Sequence, residues 1–148
     1  MFNLFKTKKE YKPLSEYIES WDVLQDTNNQ MIIRINSGCK EAAGHPEYPI
    51  KMGIAVPLKG TGDEIVELLK NSIEDALEEI LNEGEKGVLV TVITSLGEQK
   101  FLEFVSYTKS DLNFQAIHEN LKAKFPEQEV QMYAEQDTKW STYLSFLK

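Results

Sequence analysis

The chain has one cysteine, Cys39, in 148 residues. No internal disulfide can form, so its core must hold without a covalent staple, and one thiol suits a reducing compartment. Long apolar runs are missing too; none approaches the roughly 18–20 residues of a membrane span. The opening residues, MFNLFKTKKEYK, place their apolar part ahead of Lys6, Lys8 and Lys9. A secretory leader has the reverse order and a longer apolar core of about 7–15 residues. Residues 1–12 are expected to form a flexible basic tail on a soluble, cytoplasmic protein. Positive charge is also scarce: 16 Lys and Arg stand against 24 Asp and Glu, for a net charge of −8.

The negative charge is concentrated. Residues 1–60 hold eight basic and seven acidic residues, and residues 99–148 hold six and seven. Residues 61–98 hold two basic and ten acidic residues, so the whole imbalance lies there. A nucleic-acid backbone would be repelled from that part of the chain, and a basic protein surface would be attracted.

The segment Thr61–Gly84, TGDEIVELLKNSIEDALEEILNEG, reads as one amphipathic helix. Thr61 and Glu64 have the spacing of a capping box, and Gly84 suits the position after a helix end. At about 100° per residue, Ile65, Leu69, Ile73, Ala76, Leu77 and Ile80 share one face. Glu64, Glu67, Glu74, Asp75, Glu78 and Glu79 occupy the other.

Around this helix the chain alternates. Pro13–Ile18 suits a short helix. Trp21–Leu24 and Met31–Ile35 flank an Asp/Asn turn cluster and read as a hairpin. Residues 37–47 read as a loop. Tyr48–Leu58 alternates apolar and small or polar residues, so it is a strand with one face toward a core, and a neighbour could approach over Gly53 and Ala55. Gly87–Thr94 and Lys100–Tyr107 are further strands. Ser110 or Asp111 can cap a helix carrying Phe114, Ile117, Leu121 and Phe125. Glu129–Ala134 is a last strand, and Asp137 caps a final helix with Trp140, Tyr143, Leu144 and Leu147.

From residue 48 the order is βαββαβ, the split βαβ of ferredoxin-like α+β folds. Right-handed crossovers place both helices on one face of an antiparallel sheet. The N-terminal hairpin extends that sheet. Short N- and C-terminal helices, with Trp21, Trp140, Tyr143 and Phe146, are expected to cover the second face. The absence of repeats or linkers predicts a single domain over 1–148, with its core from about residue 20.

The segments IIRIN, YPIKMGIAVPL, IEDALEEIL, VLVTVIT, FLEFVSY and DTKWSTYLSFL, in that order, resemble the bacterial domain-of-unknown-function 695 family over roughly residues 20–148. The resemblance implies no activity and transfers no catalytic residues. Where the family usually has a Gly-Leu-Pro-like stretch before the long helix, this chain has Gly60-Thr61-Gly62. There is also a distant likeness to the small acidic regulator of ribonuclease E, which acts by binding that enzyme.

Four constellations could carry function. The acidic helix face could dock a basic protein, with Glu67, Glu74, Asp75 and Glu78 as the contact residues. Glu74-Asp75 and Glu78-Glu79 could alternatively offer carboxylates to a cation or to acid–base work, but wet carboxylates need no tuned pKa. Cys39, His45 and His118 could serve an enzyme or a metal site, but they lack the paired spacings of zinc ligands and an orienting third group. Lys100, Phe104, Val105 and Tyr107 partly match the aromatic strand of RNA-recognition domains, in a chain whose charge opposes RNA. The favoured reading is a non-enzymatic protein-interaction or regulatory module without a cofactor; an enzyme or metal protein, and RNA binding through the sheet, are the alternatives.

Overall fold

A computed structural model of the chain describes residues 9–28, 30–60 and 62–147. Six strands form one sheet: β1 (Trp21–Asp26), β2 (Met31–Asn36), β3 (Ile50–Pro57), β4 (Gly87–Leu96), β5 (Lys100–Thr108) and β6 (Gln131–Gln136). Three helices accompany them: α1 (Asp63–Asn82), α2 (Phe114–Lys124) and α3 (Ser141–Phe146). The strand order is β1-β2-β4-β5-β3-β6, and every pairing is antiparallel. The last four strands in that order are the ferredoxin-like arrangement, and the β1–β2 hairpin extends it at the β4 edge.

Alternation decides which side chains meet the helices. Met52, Ile54 and Val56 on β3, Leu102 and Phe104 on β5, and Leu89 and Val92 on β4 are buried with Val66, Ile73, Leu77 and Leu81 of α1 and Ile117 and Leu121 of α2. Each such side chain contributes roughly 1.5–3 kcal/mol by leaving water. On the other side of β3, the ring of Tyr133 lies where a side chain at residue 53 would stand. Gly53 and Tyr133 are register partners, so the small face of β3 receives an aromatic from the edge strand β6. The Tyr133 hydroxyl then donates across β3 to Glu103 of β5 at 2.6 Å.

The second face is covered by aromatics from the C-terminus and by the N-terminal segment, as the sequence suggests. Trp140 stacks on Tyr107 with centroids 4.4 Å apart and meets Tyr143 edge-on. Its indole N–H donates to the Tyr48 carbonyl at 2.9 Å. Asp137 caps α3 by accepting from the Ser141 and Thr142 amides at 2.8 and 3.1 Å. It also accepts from the Tyr107 hydroxyl at 2.7 Å.

Several local expectations need correction. The N-terminal helix is a single 3-10 turn, Leu14–Glu16, and Ile18 is 85% exposed. Residues Ser37–Ala42 form a 3-10 segment in place of an open loop. Asn113 caps α2 by accepting from the Ala116 amide, displacing Ser110 and Asp111 from that role. Trp21 packs on the helix side of the sheet, away from Trp140, with the Arg34 guanidinium over its ring.

The Thr61 capping expectation and the tail residues 1–8 fall outside the described residues. Gly62 is the N-cap of α1. Residues 9–12 are fastened to the body. Lys9 pairs with Glu41, Tyr11 donates to the Ala43 carbonyl, and the Lys12 carbonyl bonds His45. At the other end of α1, Gly84 and Glu85 take positive φ. The Lys86 and Glu85 amides fold back onto the Leu81 and Asn82 carbonyls. That reversal closes the helix with its orphan carbonyls satisfied.

Candidate functional site

The helix α1 is rotated from the phase read off its periodicity. Its buried residues are Val66, Lys70, Ile73, Ala76, Leu77 and Leu81. At 100° per residue that face lies roughly 50° from the one formed by Ile65, Leu69, Ile73, Ala76, Leu77 and Ile80. Ile65 is consequently 59% exposed, and Leu68, which lies on neither face, is 68% exposed. The added hairpin reaches the helix on the side that is buried. Arg34 of β2 faces the helix, stacks on Trp21 at 4.6 Å and binds the Glu74 carboxylate at 2.6 Å. Both ends of that ion pair are largely buried, and it ties the Glu74 side of the helix to the sheet.

The four expected contact carboxylates therefore separate. Glu67 and Asp75 stay on the wet face, Glu67 alongside Lys70 at 2.9 Å. Glu74 is committed to Arg34. Glu78 turns to the flank of the helix and lines a cleft of about 290 Å³.

That cleft exists because β2 is shorter than β4. β2 pairs only with Thr91–Ser95, so Gly87–Val90 have no strand beside them on that side. The chain leaves as the 3-10 segment at Asn36, and the gap is walled by Leu14, Tyr17, Leu81, Val88 and Leu89. Glu19, Asn36, Cys39, Glu78 and Glu85 supply its polar and sulfur atoms. The Glu19 carboxylate accepts from the Trp21 indole N–H, and Glu85 accepts from the Ser15 amide. Among the described residues Glu78 has no ion-pair or hydrogen-bond partner. Burial, then the Glu74, Glu19 and Asp75 charges, push its pKa up to about 6, against a smaller opposing pull from Arg34. Burial, then Glu19, push the Cys39 thiol up to about 12, so at neutral pH it is neither thiolate nor nucleophile.

The remaining candidates are held in structural roles. His45 is buried, with Nδ1 accepting from the Glu47 amide and Nε2 against the Lys12 carbonyl at 3.0 Å. Nε2 therefore carries the proton and donates to that carbonyl. His118 Nε2 lies 2.6 Å from the Val130 carbonyl, tying α2 to the segment before β6. Among the described residues no group of three His, Cys, Asp or Glu side chains is arranged to hold a metal. Phe104, Val105 and Tyr107 are buried, so they cannot offer faces for base stacking.

A family model matches residues 19–148. The chain belongs to the family of unknown function DUF695. Nothing among curated proteins or solved structures matches it. In this DUF695 chain no helix among the described residues is long and apolar enough to cross a membrane.

Sequence reasoning overlooked Arg34, Glu19 and Asn36 because each sits in an unremarkable strand or strand-end position. Arg34 carried the one available signal: a lone cation inside the apolar run Met31–Ile35, facing a helix rich in carboxylates. Ile65 and Leu68 were hidden by a helix with aliphatic residues on more than one stripe.

Proposed function

We propose that this DUF695 chain is a non-enzymatic interaction module of the cytoplasm. It captures a basic, amphipathic segment of a partner protein on the outer face of α1. The observation that carries this reading is the exposure of Ile65 and Leu68 among carboxylates. The two side chains edge a groove that also takes in Leu69, Phe125 and Pro126. Glu64, Glu67 and Asp75 are exposed on the same helix. An apolar centre ringed by polar groups is the anatomy of a protein interface. The exposed carboxylates of α1 favour a basic partner and speed its encounter, with Lys124 the one cation among the described residues that edges the groove. Neither nucleic acid nor a cofactor enters this reading.

A photo-crosslinking residue at position 68 tests it. Exposed to the native cytosol, it should trap a protein with a basic segment, while the same residue at Leu24, exposed on β1, should not. Glu67→Gln with Asp75→Asn should weaken capture at low salt more than at high salt. Equal trapping at 68 and 24, or capture indifferent to salt and to both substitutions, defeats the reading and leaves the acidic face as a solubilising surface.

A further inference from the structure

The sheet ends at β1 in an open hydrogen-bonding edge. β1 stands first in the strand order, so no described strand lies on its far side. The hairpin fixes which backbone groups point there. The Gln30 carbonyl accepts from the Leu96 amide of β4 at 3.0 Å. Alternation along β2 then turns Ile32 and Arg34 toward β4, and Met31, Ile33 and Ile35 toward β1. Their register partners Asp26, Leu24 and Asp22 bond β2. The amides and carbonyls of Trp21, Val23 and Gln25 therefore face outward. Nothing in β1 blunts this edge: it has no lysine, no proline and no shift in its register with β2. It is also oily on both sides. Val23 is 60% exposed on the helix side, opposite Arg34, and Leu24 is 44% exposed on the other. The exposed Ile18 stands just before the strand.

We infer that a second copy of this chain covers this edge. β1 pairs antiparallel with its counterpart about a two-fold axis at Val23, and two six-stranded sheets become one continuous sheet. Symmetry and charge together choose that register. A two-fold axis normal to the sheet sets one residue opposite itself. Centring on Asp22 sets two carboxylates face to face. Centring on Leu24 sets each Asp22 against Asp26 of the other copy. Like charges directly opposite destabilise a strand pair. Centring on Val23 sets Asp22 against Leu24 and Trp21 against Gln25, with no like charges opposed. The outward groups of Trp21, Val23 and Gln25 then meet in hydrogen-bonded pairs. The two Val23 side chains touch on the helix side, and the two Leu24 side chains meet diagonally on the other. A second copy thus supplies outward groups in matching phase and an apolar neighbour for each exposed aliphatic. The chain's negative excess does not oppose the contact, because it lies in residues 61–98, while residues 1–60 hold eight basic and seven acidic residues.

Sedimentation of the full chain at rising concentration tests this, with a monomer–dimer equilibrium expected. Val23→Lys sets two ammonium groups opposite each other at the axis and should weaken the dimer at least tenfold. Its melting temperature when dilute should match the parent's, since Val23 is exposed. Val23→Cys should give a covalent dimer under copper-catalysed air oxidation. Cα atoms of a hydrogen-bonded antiparallel pair stand about 5.5 Å apart, within disulfide reach. Gln25→Cys should not, because its two copies lie four residues, about 13 Å, out of register. Cys39 is buried and does not compete. A photo-adduct at Leu24 is then one with this chain itself, which keeps the test of the α1 face separate. The inference is overturned if the chain sediments as a monomer throughout, which leaves β1 to a strand of another protein. It is equally overturned if Val23→Lys dimerises like the parent, or if Gln25→Cys crosslinks as readily as Val23→Cys.

Discussion

Beneath α1 and α2 the sheet buries Met52, Ile54, Val56, Leu77, Leu102 and Leu121, side chains with nothing to hydrogen-bond. Across the sheet the core is Tyr48, Tyr107, Trp140 and Tyr143 with Ile35, Val90 and Val105. There nearly every ring is pinned at its polar end. Trp140 donates to Tyr48, Tyr143 to the Asn36 carbonyl, Tyr48 to the Glu85 carbonyl and Tyr107 to Asp137. One face is held by area removed from water, which is tolerant of exchange among similar shapes. The other is held by rings whose orientation is set by donors and acceptors, where removing one partner strands the other.

The sharpest way to break this comparison is to empty each face in turn. Trp140→Ala should cost about 3–5 kcal/mol, with the Tyr48 carbonyl losing its donor besides. Leu77→Ala should cost about 2–5 kcal/mol, through volume alone. Urea unfolding measures both. Leu77→Met should then recover most of its loss, while Trp140→Phe should not, since phenylalanine has no N–H for Tyr48.

Tyr107→Phe sharpens the comparison on the polar side. It should cost about 1–3 kcal/mol, because Asp137 and the Tyr143 amide both lose a bond. It should also alter acid stability. Burial opposes ionisation of Asp137, but the Tyr107 hydroxyl, the Thr142 and Ser141 amides and Lys51 outweigh it and hold its pKa below the ordinary 3.8. A depressed carboxyl stabilises the fold above its unfolded pKa, and that contribution disappears as pH falls through the folded value. Melting curves below pH 4 should be less steep in pH for Tyr107→Phe than for the parent.

Glu78 behaves in the opposite sense and more weakly. Its folded pKa of about 6 stands above the ordinary 4.5, so the fold binds the proton more tightly than the unfolded chain does. Stability from this group falls as pH rises from 4.5 to 6 and stays reduced above. Glu78→Gln should therefore raise the melting temperature at pH 7 and flatten that window. A lower melting temperature at pH 7 would mean that Glu78 is stabilised by a contact in solution. The smallest effect belongs to Leu68→Ser on the wet face of α1, within about 0.5 kcal/mol of the parent in urea.

Much of this architecture was legible beforehand. The period-2 run at Tyr48–Leu58, the Gly-terminated helix, and the order of elements after residue 48 lead to a ferredoxin-like sheet by rules of connection. Gly53 announced a close approach, and Tyr133 makes it. The four carboxylates expected to make contact were legible only as a stripe. Periodicity says that a helix has two faces, but aliphatic residues at 65, 66, 68 and 69 leave its phase open by tens of degrees. The cleft was not legible at all, because a strand that stops short of its neighbour leaves no mark in local sequence.

By itself the sequence determined the sheet, the crossovers and the concentration of charge on one helix, since alternation, periodicity and composition are local properties. Only the tertiary structure decided how that helix turned. The Arg34–Glu74 pair joins elements forty residues apart on the side of the helix that meets the sheet; Ile65 faces water and Glu78 faces a cleft. Such a pairing depends on register across the sheet, and register is a property of the packed chain.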